Sequence, residues 1–362
     1  MINLPNISIT FEQLATSLIQ RSENGVAVLI VKDSTVSAGT LSVYKDITKA
    51  LADEKLYTEE SVQAIKDVLT YAVGKLAVVK TDADEPDLAT ALALIEKKFK
   101  NCWIGIVDAT ADETATLVSW IKSKELANKQ YKALVYKGIA CDCKHLVSLM
   151  NEKVTFADER GEVSADKFIP TLLGILTSCN IKRGTTYYKC ETLSSVEEPE
   201  DVDSVINAGG LVLINDEDIV RIGVGINTMT TTNGKTATED MKFIEVVEAM
   251  DQIQLDIFNV FKNEYVGNYR NNLDNQMLFI ASVKAYFKGL AKDDVLNKEY
   301  DNTVEIDVKA QRDAWLGTGK AEAEDWSEEE VKKMAFKRTV FLKGNIKILS
   351  SMQDLDFIIN LA

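Results

Sequence analysis

The segment Val26–Val31, VAVLIV, contains no polar position. An apolar run of this length suits a strand covered on both faces, the environment of a parallel sheet packed between helices. The next hundred residues repeat a grammar. Leu41 to Ile47 reads as a second strand. Thr58-Glu59-Glu60-Ser61 opens a helix, with Thr58 as N-cap and acids in the first turn, and Val62, Ile65, Leu69 and Ala72 come after it at helical spacing. Strand patterns at Leu76–Val79, Trp103–Val107 and Ala133–Tyr136 then alternate with helical patterns at Pro86–Phe99 and Asp112–Lys124. Strands separated by helices of about a dozen residues predict βαβ units. A strand at Lys153–Ala157 and an apolar helix at Phe168–Leu176 extend this module to about residue 180.

Beyond residue 185 the pattern changes. Gly210–Asn215 and Ile219–Val224 flank Asn215-Asp216-Glu217-Asp218 and predict a β-hairpin. Thr228–Thr238 is a polar loop. Phe243, Val246, Val247, Met250, Ile253, Ile257, Val260 and Phe261 then mark a long amphipathic helix, and Met277–Leu290 a second. A charged region, Lys292–Arg338, precedes a strand candidate at Thr339–Leu349. The expected class is therefore mixed α/β: an N-terminal βαβ-type module and a C-terminal helix/strand domain.

Both ends read as strands. Leu4 and Pro5 precede Ile7, Ile9 and Phe11, which alternate with Asn6, Ser8 and Thr10. Leu355, Phe357, Ile359 and Leu361 alternate with Asp356, Ile358 and Asn360. A terminal strand without a partner in its own fold pairs elsewhere or becomes an adhesive edge. The chain is thus expected to divide into an arm (1–20), an α/β module (21–184), a second core domain (185–350) and a second arm (351–362).

Among the 362 residues, 41 Lys and Arg face 56 Asp and Glu, a net charge of −15. That field repels phosphate backbones and argues against nucleic acid as a partner. No apolar run reaches membrane-spanning length, so membrane insertion is not expected. The start lacks the basic and apolar regions of a secretory signal, and five cysteines make an odd count, so cytoplasmic folding with free thiols is expected.

The chemical motifs are incomplete. Gly234-Lys235-Thr236 resembles the end of a phosphate-binding loop, but Met229 stands where its first glycine belongs. Gly223-Val224-Gly225 lacks the third glycine of a dinucleotide fingerprint and ends a hairpin instead of opening a helix, so close packing or a bend is the expected role. Asp82–Asp87 lacks the glycine and terminal glutamate of a calcium loop. Cys141, Cys143 and His145 are the nearest thing to a metal set, yet a fourth ligand is missing; the alternative is a buried strand end whose cysteines act as small hydrophobes. His145 is the single histidine. No catalytic, cofactor-binding or metal residue is assigned.

The second half carries a resemblance. Asn207-Ala208-Gly209-Gly210-Leu211-Val212-Leu213-Ile214-Asn215-Asp216 leads to Val220-Arg221-Ile222-Gly223 and Gly225-Ile226-Asn227-Thr228. Lys242–Asp251, Asp256-Ile257 and Tyr265-Val266-Gly267 come next in order. Tyr300-Asp301-Asn302, Phe341-Leu342-Lys343, Met352–Phe357 and the opening Leu4–Ile9 complete the set. This order resembles the sheath protein of contractile phage tails, in the short form found in defective prophages and R-type phage-tail-like bacteriocins.

The resemblance implies a structural protein, not an enzyme, that needs no cofactor. It implies rings of subunits stacked around an inner tube, with other copies of the chain, the inner tail tube protein, and baseplate and tail terminator proteins as partners. Such particles assemble in the bacterial cytoplasm and become part of a virion or a released particle. Terminal arms would lend strands to neighbouring subunits, giving Leu4, Ile7, Ile9, Phe11, Leu355, Phe357, Ile359 and Leu361 as inter-subunit residues. Contraction would release energy stored in the extended lattice. The alternative from the residues alone is a cytoplasmic α/β enzyme or small-molecule binder with its site at the C-terminal ends of the parallel strands.

Overall fold

The computed structural model describes residues 25–35, 39–138, 141–179 and 183–358. The strand expected at 6–11, the helix expected at 12–21, and Ile359 and Leu361 lie outside the described residues.

The chain runs β1 (Val26–Lys32), β2 (Leu41–Tyr44), α1 (Ile47–Ala52), α2 (Glu59–Leu69), β3 (Lys75–Thr81), α3 (Leu88–Lys98), β4 (Asn101–Ile106), α4 (Ala111–Leu126), β5 (Gln130–Tyr136) and β6 (Leu146–Leu149). Then come β7 (Lys153–Phe156), β8 (Glu162–Ser164), α5 (Ile169–Ser178), β9 (Leu193–Val196), α6 (Val202–Asn207), β10 (Leu213–Asp216), β11 (Ile219–Ile222) and α7 (Ile244–Val260). Last are α8 (Leu273–Lys292), β12 (Thr303–Ile306), α9 (Val308–Leu316), α10 (Glu328–Lys333) and β13 (Leu342–Asn345).

A six-stranded sheet, ordered β2-β3-β1-β4-β5-β6, is parallel except for the edge strand β2. The apolar run of β1 lies near its middle, as its composition requires. Ala27, Leu29 and Val31 face one cluster with Ile65 and Val68 of α2 and Leu172, Leu173 and Leu176 of α5. Val28 and Ile30 face the other, with Leu92 and Ile95 of α3 and Leu117 and Ile121 of α4. Every side chain of β1 from Ala27 to Val31 is at most 1% exposed. At about 25 cal/mol per Å² of apolar surface removed from water, this double-sided burial dominates the module's stability.

Local chemistry sets the helix starts. Thr58 accepts from Ser61 N, and Thr110 with Glu113 forms a reciprocal capping box on α4. The second strand ends sooner than expected, at Tyr44. Asp46 accepts from Lys49 N and starts α1 at Ile47, so a cap overrides the apolar pattern. Helix α5 presses on α2 at Gly174, where a Cβ would stand 2.6 Å from the carbonyl oxygen of Val68. Only glycine admits that approach.

Residues 22–252 and 350–362 form one compact unit and residues 253–349 another. In the first, β8-β7-β9 and the hairpin β10-β11 complete the module around Val154, Phe156, Leu213 and Ile222. The hairpin turns at Glu217, whose φ of 55° is left-handed. In the second, Asn272 caps α8 and Ser327 builds a capping box on α10. Trp315 of α9 packs edge-on against Trp326 and Phe336, and Phe336 packs tilted against Phe341.

Candidate functional site

The 253–349 unit carries a two-stranded ribbon, β12 paired antiparallel with β13. Its register sets Ile306 against Leu342, Glu305 against Lys343, Val304 against Gly344 and Thr303 against Asn345. The pattern has period two. Val304 and Ile306 are buried, whereas Glu305 and Lys343 are exposed and form an ion pair at 3.2 Å. The pairing continues irregularly beyond the strands: Asn297 N donates to Lys347 O, and Asn302 Oδ1 accepts from Lys347 N. Among the described residues no third strand joins either edge. A two-stranded ribbon is marginal by itself, and a strand edge is where a further strand can pair.

The tail shows the complementary pattern. Ser351 is held by Glu245 through its N–H at 2.9 Å and its hydroxyl at 3.0 Å. Beyond it, residues 352–358 join no sheet and are exposed throughout. Leu355 is 89% and Phe357 72% exposed. Two apolar side chains at alternating positions in open solvent call for a surface to cover them.

A buried charge cluster lies in the module, on and around β5. Lys132 sits within the apolar strand and is 2% exposed. Its ammonium lies 2.6 Å from Glu248 and 3.5 Å from Asp251 of α7, and over the Trp103 ring. The Trp103 indole also donates to Glu248, at 2.7 Å. His145 places Nδ1 2.7 Å from Glu125 and Nε2 3.2 Å from Asp251. Burial alone would lower the His145 pKa, but hydrogen bonds and charge from Asp251 and Glu125 outweigh it and raise the pKa. Burial likewise opposes the charged form of Lys132, and the charges of Glu248 and Asp251 reverse that, so its pKa also rises. Burial would raise the Asp251 pKa, but Lys132 and His145 overcome it and shift the carboxyl down. Lys132, and His145 when protonated, thus meet three carboxylates, an arrangement that clamps α7 to the sheet.

This cluster accounts for the cysteine–histidine segment. Cys141 Sγ lies 3.6 Å from Gly138 O, while Cys143 Sγ and His145 both address Glu125. Among the described residues no three His, Cys, Asp or Glu side chains gather as a metal-ligand set. Burial pushes the Cys143 thiol well above its ordinary pKa, and the Glu125 charge adds to it, so the sulfur is a poor nucleophile. Lys132 in an otherwise apolar strand is the sequence signal for the cluster; nothing in the spacing links it to Glu248 or Asp251, more than a hundred residues away.

The C-terminal ends of the parallel strands are occupied by the chain's own side chains. Lys32 at the end of β1 donates to Asp108 O and to Glu113, at 2.7 and 2.9 Å. Asp33 accepts from Thr35 N and Thr58 N. Burial raises the Asp33 pKa, but the hydrogen bond from the Thr35 hydroxyl, followed by those from Thr58 N and Thr35 N, outweighs it and holds it down at about 2. The cleft lined by Ile106, Asp108, Thr114 and Asp166 measures about 10 Å³, room for about one water.

The Gly225-Ile226-Asn227 motif is a backbone clip. Asn227 is 1% exposed. Its Nδ2 donates to Met241 O, its Oδ1 accepts from Met229 N, and its own N–H donates to Lys242 O. A Cβ on Gly225 would stand 1.9 Å from the Thr185 hydroxyl, so close packing is the reason for that glycine. Gly234-Lys235-Thr236 lies in an exposed turn organised by Asn233 Oδ1, which accepts from Lys235, Thr236 and Ala237 N–H groups. Of the residues expected in the arms, Leu355 and Phe357 are exposed as described; Leu4, Ile7, Ile9, Phe11, Ile359 and Leu361 lie outside the described residues.

Residues 236–362 match the family model described as the phage tail sheath C-terminal domain. The "Tail sheath protein" of Clostridium phage phiCD119 is 28% identical over 360 residues, covering 98% of this chain and 99% of that one. Among solved structures, the sheath tail protein from Desulfitobacterium hafniense aligns with a TM-score of 0.70 at 14% identity, over 83% of this chain and 94% of that one. The helical sheath of the anti-feeding prophage in its contracted state aligns with a TM-score of 0.70 at 11% identity, over 99% of both chains. The mixed α/β fold is that of sheath proteins, and the resemblance to contractile tail sheaths extends along the whole chain.

Proposed function

We propose that this chain is the structural subunit of a contractile tail sheath, which polymerises around an inner tube and contracts to drive it through a target cell envelope. The observation that carries the assembly mechanism is a strand pairing divided between two places. Among the described residues no third strand pairs with the β12–β13 ribbon, and the tail from Met352 to Ile358 has exposed apolar side chains at strand spacing and belongs to no sheet. β-Augmentation between copies satisfies both. In this reading the arms at 1–20 and 351–362 are the linkers. Leu355 and Phe357, with Ile359 and Leu361 beyond them, dock on a neighbouring subunit, as do Leu4, Ile7, Ile9 and Phe11.

The work is mechanical. The module and the ribbon unit move as packed bodies while the exchanged strands keep neighbours connected. The buried charges clamp α7 and catalyse nothing; no nucleotide or cofactor takes part. The solved relatives include a sheath complex in the contracted state and a baseplate of the anti-feeding prophage. The partners of this chain are accordingly other copies of itself, an inner tube protein, and baseplate and terminator proteins at the two ends. Assembly takes place in the bacterial cytoplasm, before the particle is released.

Two truncations test the reading. Full-length protein forms tubular polymers under negative stain; chains lacking residues 1–11 or 353–362 form none, with unchanged far-ultraviolet circular dichroism. Normal tubes from either truncated chain would overturn the exchange of arms.

A further inference from the structure

The threonine-rich loop at 228–238 places a reactive pair at the surface, Asn233 followed by Gly234. In an Asn–Gly pair the glycine nitrogen can close a five-membered ring on the carboxamide carbon Cγ, because glycine has no Cβ to obstruct the approach. Asn233, Gly234, Lys235 and Thr236 are all exposed, so water reaches the reacting atoms. Gly234 has a left-handed φ of 67°, and among the described residues no atom beyond its chain neighbours lies within 4 Å of the place a Cβ would take. The other Asn–Gly pair of the sequence, Asn24–Gly25, differs at its glycine: a Cβ on Gly25 would stand 2.8 Å from Thr177 O.

The turn also polarises the carbon to be attacked. Asn233 Oδ1 accepts from Lys235 N at 2.9 Å, Thr236 N at 2.9 Å and Ala237 N at 3.0 Å. Three N–H groups on one carbonyl oxygen draw charge from Cγ and stabilise the oxyanion that forms when a nucleophile adds there, as preorganised backbone donors do. The leaving nitrogen, Nδ2, donates to Thr236 Oγ1 at 2.9 Å. The attacking Gly234 N–H donates to Ala237 O at 3.1 Å, an exposed bond that water replaces at small net cost.

We propose that Asn233 is a site of spontaneous deamidation and that the turn directs the product to aspartate. Gly234 N bonds to Cγ, the Cγ–Nδ2 bond breaks, and ammonia leaves with the proton lost from Gly234 N. Water then opens the ring at one of its two carbonyls. Addition at Cγ breaks the bond from Cγ to Gly234 N and restores the ordinary peptide beside a side-chain carboxylate. Addition at the main-chain carbon breaks the peptide bond instead and leaves isoaspartate, the usual major product of an unrestrained ring. Either way one water is consumed and one ammonia released. The three donors address the Cγ oxygen and so favour the first route. The carboxylate it forms accepts the same N–H groups more strongly than the amide, because one partner is now ionised. Isoaspartate adds a methylene to the backbone and takes the acceptor out of register. Ageing thus adds one negative charge to this turn and leaves its hydrogen bonds in place.

Peptide mass mapping of the full-length chain, incubated at mildly alkaline pH both folded and in urea, tests this. Electron-transfer fragmentation separates the two products. Urea releases the turn, and Asn24–Gly25 deamidates beside Asn233 there as an internal standard. Folded protein is expected to deamidate at Asn233 with aspartate exceeding isoaspartate by about three-fold or more, and the unfolded chain to give the reverse order. Gly234→Ala is expected to slow the reaction of the folded chain about ten-fold, because its Cβ obstructs the ring closure. Asn233→Asp, which carries the product from the start, is expected to melt no lower than the unchanged chain. Folded protein that keeps Asn233 intact while the urea sample reacts overturns the site, as does an undiminished rate in Gly234→Ala. Isoaspartate in excess in both samples, or a lowered melt for Asn233→Asp, overturns the directing role of the turn.

Discussion

Two buried polar residues have roles that their neighbours in sequence do not announce. Asn227 closes three backbone hydrogen bonds from a site 1% exposed. Asn227→Ala strands the Met241 carbonyl and the Met229 N–H without water, and the expected loss is about 2–4 kcal/mol in urea denaturation, since each orphaned buried group costs about 1–3 kcal/mol. His145 is the other. Its raised pKa means that the folded state binds its proton more tightly than the unfolded chain does. The stability this contributes is fully present below the unfolded pKa of 6.5 and is lost as pH rises through the higher folded value. Denaturation midpoints are expected to fall on going from pH 6 to pH 9, and His145→Gln to flatten that portion of the profile. The other titrating groups facing it, Glu125 and Asp251, have pKa values shifted down and stay ionised across the window. In the sequence Asn227 and Asp251 are members of a pattern; only the fold shows that one clips backbone and the other neutralises Lys132 and His145.

At the scale of elements, periodicity is the reliable signal and local capping the correction. The apolar strands and amphipathic helices of the module stand close to where spacing places them, because double-sided burial leaves a strand such as β1 no other position. Spacing overextends the second strand, because Asp46 opens a helix that the apolar pattern does not reveal. The hairpin strands, expected at 210–215 and 219–224, shorten to Leu213–Asp216 and Ile219–Ile222. Beyond the reach of spacing lies the contact between elements. Helix α5 reads as a uniformly apolar segment, yet its position is set by one glycine against the Val68 carbonyl. Gly174→Leu forces α2 and α5 apart and is expected to cost about 3 kcal/mol or more, as overpacking does when backbone must move; a thermal melt measures it. Gly174→Ala, with a Cβ but no more, is expected to lose less and in the same direction.

The molecule as a whole separates what folds from what assembles. The module holds both apolar clusters of the six-stranded sheet, while the ribbon and the tail present unfinished surfaces. Removal of residues 353–362 is therefore expected to leave the melting temperature within about 1–2 °C of the full chain. The deleted stretch contributes no described buried side chain, and surface changes of that kind fall within about 0.5 kcal/mol. The charge cluster on β5, by contrast, belongs to folding. The alternation at the two ends is legible in the sequence, but the ribbon that the proposed exchange of arms makes its acceptor is not. The ribbon has only four residues in each strand, with Gly344 in one of them.

The exposed tail also sets a condition on life before assembly. Leu355 and Phe357 at strand spacing make a short adhesive segment, of the kind that seeds indiscriminate aggregates when nothing interrupts it. Asp354 and Asp356 interrupt it, as gatekeepers do beside unavoidable hydrophobic stretches. A newly made chain carries its adhesive and its repellent on the same few residues. Carboxylates of like sign on two such tails oppose their close approach. On the proposed function, that opposition keeps free subunits dispersed until a neighbouring subunit covers the apolar pair.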